Sequence, residues 1–368
     1  MKVGIDTFGL DHGQSGLGSY LYYLMQNLEE DCEIEYELFG QETDRYTYKA
    51  KFDVEYTAVN VSDNVRKQRA WHFIKADRFA AQRKYDVVIY SAANRMIPSS
   101  FSVRSIAIVN DIVSKQYNDR KDRYFRNIVI PSLKKINAII VPSEYVKNDL
   151  TSLGISSEKI VVIANGIDHS IFYQQGLTDI EYVDIKPYAI KRPYIIYPTK
   201  ISGPDKNYEQ LIKAFNIFKS KTKLEHRLVL AGNHTDYAEE VMKFVLDSPF
   251  ATDIFMTGFF PHKELGTLYA LADACIFPSS QEGVGLPILE TMASGIPVAC
   301  ADKGALSEIS GGNAVLFNPD DVDGMAAAIE KVVCDNDVRG SLVERGLKWS
   351  GEFTWKKTAE RIVEVIKK

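Results

Sequence analysis

The 368-residue sequence has few cysteines and histidines and no long apolar segment. Its four cysteines lie far apart without a Cys-x-x-Cys pair, so they indicate neither a disulfide framework nor a zinc site. The six histidines show no metal-ligand spacing. No apolar run approaches the roughly 18 residues that a membrane-spanning helix needs. We therefore expect no metal, no cofactor and a location in a reducing cytoplasm.

Several functional motifs are also missing. There is no Walker A sequence, and without a Gly-x-Ser-x-Gly elbow a serine hydrolase would lack its nucleophile. The net charge of −5 argues against a nucleic-acid binder. The N-terminus enters an apolar strand at once, so no signal peptide is expected. The Asp-x-Asp pairs at 321–323 and 335–337 are interpreted as helix caps rather than as metal ligands.

The length and the order of apolar segments predict the architecture. A chain of 368 residues favours two domains over one. Strands and helices alternate in both halves, which predicts an α/β fold with two doubly wound parallel sheets. Residues 174–192 are polar and irregular, so we place the boundary there. The expected domains are residues 1–185 and 186–352.

Charge is spread unevenly over the first half. Residues 29–63 contain eleven acidic and three basic residues, whereas residues 66–135 contain sixteen basic and five acidic residues, a net of +11. Residues 66–84 predict a basic helix with one apolar and aromatic side. That side consists of Trp71, Phe73, Ile74 and Phe79. We expect region 66–135 to contact an anionic membrane surface; a pair of solvated helix faces is the alternative.

One stretch has the features of a ligand loop. Residues 278–285 follow the apolar strand 274–277 and precede a helix that begins near Pro287. Ligands of open α/β sheets bind at such strand ends, and a helix start attracts phosphate. Glu282 and Glu290 flank this loop; because carboxylates repel phosphate, they are better suited to accept hydrogen bonds from sugar hydroxyls. The pattern favours a nucleotide sugar, and a glycine-rich turn with two surface glutamates remains the alternative.

The stretch from Glu282 to Glu290, followed by Met-Ala-Ser-Gly-Ile-Pro-Val at 292–298, resembles the family-4 retaining glycosyltransferases. The resemblance covers nearly the whole chain and implies a GT-B fold, in which two Rossmann-like domains face a cleft. It implies that Glu282 lies at the donor sugar and that Glu290 holds the ribose. A terminal helix, residues 353–368, is expected to pack back on the first domain. The other donor contacts implied for this loop are Gly283, Val284, Gly285 and Leu286.

Two further loops are implied to contact the donor. A glycine-rich loop with Gly16 and Gly18 corresponds to one near the donor diphosphate; lacking a third glycine, it fits a nicotinamide site poorly. The loop at 258–261 corresponds to one near the nucleotide base, which implicates Phe259 and Phe260.

The chain departs from the family pattern at two places. The family commonly has an Arg and a Lys five residues apart on the diphosphate, whereas here Lys200 and Lys206 are six apart and supply charge without a bidentate fork. Lys206 is the safer match, and a solvated loop lysine is the alternative for Lys200. Many members have His-Asp where this chain has Asn110 and Asp111. Asn cannot titrate, so an acid–base role at that position is absent.

The resemblance implies a retaining, metal-independent hexosyltransferase that uses a UDP- or GDP-sugar, with the acceptor bound near Asn110 and Asp111. The implied acceptor is a glycan or a lipid-linked sugar, and the expected setting is bacterial cell-surface polysaccharide assembly at the inner face of the plasma membrane. Two alternatives remain open. A nucleotide-sugar epimerase would convert the donor without an acceptor, and a non-catalytic accessory GT-B subunit would bind a partner without turnover.

Overall fold

The computed structural model describes residues 1–118, 124–176, 180–185, 187–258 and 260–368, with the backbone alone for 116–118. These residues form two compact units. The first unit comprises Met1–Gly166 and Trp355–Lys368, and the second comprises Ile167–Thr354. Each unit contains a parallel sheet with helices, as the alternation of strands and helices predicted.

The sheet of the first unit consists, within the described chain, of β1 (Lys2–Asp6), β2 (Glu35–Gly40), β3 (Glu55–Ala58), β4 (Val87–Tyr90), β5 (Arg104–Ile108), β6 (Ala138–Val141) and β7 (Ile160–Val162). These strands are parallel and follow the order β3-β2-β1-β4-β5-β6-β7. The order reverses between β1 and β4, which makes this the switch point of the sheet.

Helices cover both faces of this sheet. They are α1 (Gly16–Asn27), α2 (Val65–Trp71), α3 (Asp77–Gln82), α4 (Val113–Asn118), α5 (Ile130–Lys135) and α6 (Glu144–Ser152). Strand β4 is therefore buried on both sides: Val87 and Ile89 pack into one apolar core, and Val88 and Tyr90 pack into the other. Side chains alternate along a strand, so a strand buried on both faces is a continuous apolar run.

The predicted basic helix 66–84 is interrupted. A π-helical segment, His72–Ala76, separates α2 from α3. Such a segment changes the angular register of the residues after it. The predicted apolar side is therefore divided: Trp71 and Phe79 pack against the core, whereas Phe73 is 43% and Ile74 70% exposed.

The second unit contains two further sheets. An antiparallel hairpin pairs β8 (Tyr182–Ile185) with β9 (Tyr188–Lys191). The parallel strands are β10 (Tyr194–Pro198), β11 (Arg227–Ala231), β12 (Ile254–Met256), β13 (Ala274–Phe277), β14 (Val298–Ala301) and β15 (Val315–Phe317). Their order is β12-β11-β10-β13-β14-β15, the 3-2-1-4-5-6 order of dinucleotide-binding folds, with its switch point between β10 and β13.

The helices of the second unit are α7 (Tyr208–Thr222), α8 (Ala238–Leu246), α9 (His262–Ala270), α10 (Leu286–Ala293), α11 (Leu306–Ser310), α12 (Val322–Cys334) and α13 (Asn336–Ser350). Asp321 and Asp335 accept backbone hydrogen bonds at the starts of α12 and α13. Helix capping therefore explains both Asp-x-Asp pairs, as predicted.

The last helix, α14 (Trp355–Lys367), belongs to the first unit. The Trp355 ring contacts Tyr20 and Tyr23 of α1 with centroid separations of 5.4 Å. The guanidinium group of Arg104 donates to the carbonyls of Val365 and Ile366 at 2.7 Å. These bonds occupy carbonyls that a helix C-terminus leaves without intrahelical partners.

The division between the units differs from the predicted boundary at 185/186. Residues 167–185 belong to the second unit, because Phe172 stacks on Tyr269 and the hairpin packs its apolar side into the same core. The polar composition of 174–192 indicated a linker. The segment contains a hairpin instead, whose alternation of one buried and one exposed residue lowers its average hydrophobicity.

Candidate active site

The predicted donor loop leaves the sheet of the second unit at its switch point. Strands β10 and β13 are neighbours, and the loops 199–207 and 278–285 follow their carboxyl ends. Crossover connections diverge to opposite sides at such a point, which leaves room for a ligand. The fold thus brings together two segments that are about 75 residues apart in the sequence.

Hydrogen bonds join these two loops. Ser280 N donates to the Asp205 carbonyl at 2.8 Å, and Asn207 Nδ2 donates to the Pro278 carbonyl at 3.0 Å. The hydroxyl of Tyr197, a buried residue of β10, donates to the Lys206 carbonyl at 3.0 Å. The backbone that carries Lys206 is therefore held against the end of β13.

This arrangement pairs Lys206 with Glu282. The Lys206 ammonium group donates to Glu282 Oε1, and Ser279 Oγ lies 3.5 Å from the same nitrogen. The two charged side chains are 13% and 19% exposed. Two residues that the sequence assigned separately to the diphosphate and to the sugar thus lie side by side.

Lys200 lies in the same loop and is exposed, and its side chain has no ion-pair partner among the described residues. The backbone beside it is fixed, because Ile201 N donates to the Asn233 carbonyl at 2.9 Å. A Cβ on Gly232 would lie 2.1 Å from the Thr199 carbonyl oxygen, so only glycine permits this approach of the loops after β10 and β11. The exposed position of Lys200 leaves its ammonium group accessible to a ligand.

Helix α10 begins directly after the loop. Gly285 at its N-cap has φ +69°, which favours glycine, and Pro287 occupies the first turn. Within the described chain no side chain caps this start, so it retains the partial positive charge of a helix N-terminus. Gly283 is buried, whereas Val284 and Leu286 are half-buried.

The backbone of Glu282 is held in place by a hydrogen bond and by close packing. Ala305 N donates to its carbonyl at 2.9 Å, and Gly304 comes so close that a Cβ there would lie 2.8 Å from the same oxygen. These contacts with the residues that precede α11 fix the loop independently of the Lys206 pair.

Glu290, in contrast, is a buried carboxyl in the second turn of α10. It is 9% exposed, and the Tyr269 hydroxyl donates to its Oε2 at 3.4 Å. Burial raises the pKa of Glu290 to about 7, and the Tyr269 hydrogen bond opposes this only in part. Near neutral pH it can therefore accept a hydroxyl hydrogen bond as a carboxylate or donate one as an acid.

The loop at 258–261, predicted to lie near the nucleotide base, packs against the hairpin of β8 and β9. Gly258 N donates to the Tyr188 hydroxyl at 2.6 Å, and Phe260, 5% exposed, packs edge-on against the Tyr188 ring. Phe260 is thus a core residue beside the loop, and Phe259 lies outside the described residues. The sequence missed Tyr188 because its segment was interpreted as a linker.

In the first unit, Gly16 and Gly18 begin α1. A Cβ on Gly18 would lie 2.6 Å from the Leu10 carbonyl oxygen, and its N–H is 3.3 Å from the capping Ser15 Oγ. Packing and capping account for Gly18, while Gly16 is exposed with open space around it. A contact of this loop with phosphate stays a prediction.

Asn110 and Asp111 follow the end of β5. Asp111 is exposed, and its Oδ1 accepts the N–H of Ile112 at 2.7 Å. Asn110 is half-buried, and its Nδ2 has no hydrogen-bond partner within the described chain. Its amide therefore offers a donor at the carboxyl edge of the sheet.

Neither a cluster of metal ligands nor a membrane-spanning helix occurs in the described part of the chain. Across the residues that the structure describes, no three His, Cys, Asp or Glu side chains are grouped closely enough to bind a metal ion. Within the same residues, every helix is too short or too polar to span a bilayer.

Two protein-family models together match most of the chain. The model described as glycosyltransferase family 4 matches residues 14–171, and the model described as glycosyl transferases group 1 matches residues 184–349. Among curated proteins, an O-antigen chain mannosyltransferase B of Escherichia coli is 25% identical over 389 aligned positions that cover 100% of both chains. An O-antigen chain mannosyltransferase of Salmonella typhimurium is 28% identical over 61% of this chain and 59% of its own.

Solved structures share the fold. A sucrose-phosphate synthase from Thermosynechococcus elongatus superimposes with a TM-score of 0.76 at 17% identity, covering 100% of this chain and 98% of that one. The Anabaena protein HepE, solved with UDP and glucose, has a TM-score of 0.73 at 16% identity, covering 100% and 99%. The order of both sheets, the loops at their switch points and these matches agree, and the chain belongs to the family-4 glycosyltransferases of the GT-B type.

Proposed function

We propose that this protein is a retaining, metal-independent hexosyltransferase that moves a sugar from a UDP- or GDP-sugar to a hydroxyl group of a glycan acceptor in polysaccharide assembly. The observation that carries the proposal is the pairing of Lys206 with Glu282 at the switch point of the second unit. A cation for the leaving diphosphate and a carboxylate for sugar hydroxyls lie next to each other there. Mannose is the first sugar to test, because the relatives from Escherichia coli and Salmonella are named mannosyltransferases.

In the proposed reaction the bond between the anomeric carbon and the diphosphate oxygen breaks, and negative charge grows on the diphosphate. Lys206 and the uncapped start of α10 stabilise this charge, and the exposed Lys200 adds a second cation. The acceptor oxygen attacks the same face of the sugar, and its proton passes to the departing phosphate oxygen. Configuration is retained, and no nucleophilic side chain is required.

The two glutamates have different tasks in this scheme. When the donor binds, Glu282 releases Lys206 and accepts hydrogen bonds from hydroxyl groups of the donor sugar. Lys206 then donates hydrogen bonds to the phosphates. Glu290 accepts a hydrogen bond from the ribose, and its burial makes that bond stronger than one exposed to water. The acceptor binds the first unit near Asn110 and Asp111, where Asn110 orients a hydroxyl without titrating.

We further infer that the first unit docks on an anionic membrane that presents a lipid-linked acceptor. Phe73 and Ile74 project from the π-helical segment, and the neighbouring Lys75 and Arg78 are exposed as well. An apolar side chain that enters the interface, flanked by cations, suits a membrane surface. Of the basic region 66–135, residues 119–123 lie outside the described residues.

The donor is identified by a thermal-shift screen with GDP-mannose, UDP-glucose and ADP-glucose, because a ligand that binds the native state raises the melting temperature. The bound donor is then incubated with and without a methyl mannoside acceptor, and the products are analysed by mass spectrometry. A disaccharide that forms only with the acceptor supports the proposal. An altered donor without acceptor would indicate an epimerase, and donor binding without any turnover would indicate an accessory subunit.

A further inference from the structure

A pocket of 420 Å³ lies at the amino edge of the second unit's parallel sheet. The end of α7 and the segments that enter β11 and β12 form most of its wall. The loops 199–207 and 278–285 follow the opposite, carboxyl ends of their strands. Strand β11 has five residues, so the two edges are about 13 Å apart. A ligand in this pocket therefore lies away from the donor loop.

The lining of the pocket is rich in positive charge. It contains the four cations Lys191, Lys219, Lys223 and Arg227 and the two carboxylates Glu225 and Asp253. Most small-molecule pockets are lined mainly by apolar side chains, so this lining favours an anion over a neutral ligand. Which of the cations remain available to an anion depends on the partners that each one already has.

Lys219 uses its charge inside the protein. It is only 6% exposed, and its Nζ donates to the carbonyls of Leu224 at 2.7 Å and His226 at 3.1 Å. The same nitrogen pairs with Asp253 at 2.9 Å. These bonds neutralise Asp253 and hold the turn that joins α7 to β11. The wall of the pocket is therefore fixed from within by a buried cation.

Arg227, the first residue of β11, has no such partner. Its guanidinium group forms no hydrogen bond or ion pair with any residue that the structure describes, although the side chain is half-buried. Of its three nitrogens only Nη1 is fully buried, which leaves Nε and Nη2 to a ligand. Two neighbouring N–H groups of a guanidinium form a fork that matches two oxygens of one oxyanion.

Lys223 is the second available cation. It is exposed and has no ion-pair partner in the described part of the chain. It also ends α7 with φ +58°, a left-handed conformation in which helices usually have glycine. Residues held in such conformations cluster at ligand-binding sites. A lysine at this position adds a charge to the pocket that glycine would lack.

We propose that this pocket binds a phosphate group, with Nε–H and Nη2–H of Arg227 donating to two of its oxygens and Lys223 supplying a second positive charge. A phosphate monoester has a charge of about −1.5 to −2 at pH 7, so it gains more from two cations than a carboxylate does. Its charge also outweighs repulsion from the exposed Glu225. The inference goes beyond the proposed function, because no step of the transfer uses this edge of the sheet.

The test compares Arg227→Gln, Arg227→Lys and Lys223→Gly with the control Lys243→Gln. The control removes an exposed lysine of the same unit that does not line the pocket. Inorganic phosphate and glycerol 3-phosphate are the probes, with binding measured by calorimetry and stability by thermal unfolding. Because phosphate can also bind the donor loop, Lys206→Ala is measured in parallel.

We expect Arg227→Gln to weaken phosphate binding about tenfold, with Lys243→Gln at the wild-type affinity. Arg227→Lys should be intermediate, because lysine keeps the charge and loses the fork. Lys223→Gly should also bind more weakly, yet its melting temperature should be unchanged or higher because glycine suits the left-handed conformation. Weaker binding by a protein of undiminished stability separates a ligand contact from a structural role.

Equal affinity in the wild type, Arg227→Gln and Lys223→Gly would overturn the proposal. So would a loss of binding confined to Lys206→Ala, because phosphate would then occupy the donor loop alone. Failure of the wild type to bind either probe would overturn it as well.

Flotation with phosphatidylcholine vesicles, with and without phosphatidic acid, identifies the source of the phosphate group. Recovery on phosphatidic acid that falls in Arg227→Gln but not in Lys243→Gln would support the site and assign it to a lipid headgroup. Binding of glycerol 3-phosphate without such recovery would support the site and assign it to a soluble phosphate ester.

Discussion

The ammonium group of Lys206 lies against the carboxylate of Glu282, across two loops that end neighbouring strands of the second sheet. Each charge offsets the cost of partly burying the other, so removal of one leaves its partner uncompensated. A bound donor would replace this one ion pair with two sets of charge-assisted hydrogen bonds, from Lys206 to phosphate and from sugar hydroxyls to Glu282. The Lys206–Glu282 ion pair thus keeps both groups in place, and each charge weakens the electrostatic field of the other.

Lys206→Ala should lower kcat more than it raises the donor KM, because the charge on the diphosphate grows as the bond breaks. By comparison with loss of an oxyanion donor, we expect a decrease of about 10²–10³-fold. Steady-state kinetics with the identified donor measures it. Lys213→Ala is the matched control, since Lys213 is 57% exposed and pairs with Glu209 on the helix surface. An unchanged kcat in Lys206→Ala would remove this lysine from the mechanism.

Lys200→Arg should retain or improve turnover, whereas Lys200→Ala should reduce it. The side chain is exposed and has no ion-pair partner within the described chain, so a longer cation fits without displacing a neighbour. Arginine would also add the bidentate contact that lysine lacks. If Lys200→Ala has the wild-type kcat, Lys200 is a solvated loop residue, and Lys206 with the start of α10 must suffice.

Glu290 should make stability depend on pH. Because burial raises its pKa from the ordinary value of 4.5 to about 7, the folded protein keeps a proton that the unfolded chain releases between these values. The free energy of unfolding should therefore fall as pH rises from about 4.5 to 7, by about 3 kcal/mol from this group. Glu290→Gln cannot ionise, so it should lack this decline. Chemical denaturation of both proteins at pH 5 and 8 measures the difference; equal differences would show that Glu290 titrates normally.

The affinity for the donor should also depend on pH through Glu290. In the proposed complex, ionised Glu290 would accept the ribose hydrogen bond more strongly than the protonated acid, so wild-type affinity should rise as pH passes about 7. Glu290→Gln should bind about tenfold more weakly at pH 8, with little pH dependence. Calorimetric titration with the donor at pH 6 and 8 tests this, and identical constants for both proteins would exclude the ribose role.

Chelation should leave turnover intact. We expect full activity in EDTA, because in the proposed mechanism Lys206, Lys200 and the start of α10 supply the positive charge for the diphosphate. Activity is measured before and after EDTA treatment, and again after Mg²⁺ or Mn²⁺ is added. Loss on chelation followed by recovery with a metal would contradict the metal-independent mechanism.

The membrane proposal is tested by vesicle flotation with and without anionic lipid. Each Lys or Arg at an anionic surface contributes about 1 kcal/mol, and salt should weaken the attachment. Ile74→Ser should reduce recovery on anionic vesicles. Leu246→Ser is the matched control, because Leu246 is also 70% exposed but lies in the second unit. Equal recovery on neutral and anionic vesicles, or equal loss in both variants, would contradict docking through this segment.

Features that depend on neighbouring residues could be predicted from the sequence alone. Apolar runs such as 87–90 and 274–277 predicted buried strands, and Gly285 with Pro287 predicted a helix start. These signals are local, because strand burial and helix capping are decided within a few residues. The same local pattern placed Glu282 and Glu290 around one loop.

Which distant residues come into contact depends on how each unit packs. The pairing of Lys206 with Glu282 depends on β10 and β13 being neighbours, and the contacts of His12 with Asp44 and Asp63 depend on the order of β1, β2 and β3. The burial of Glu290, which shifts its pKa, is likewise a property of the packed unit. Strand order and packing follow from contacts between segments that are far apart in the chain. The spacing of apolar residues along the sequence does not predict these contacts.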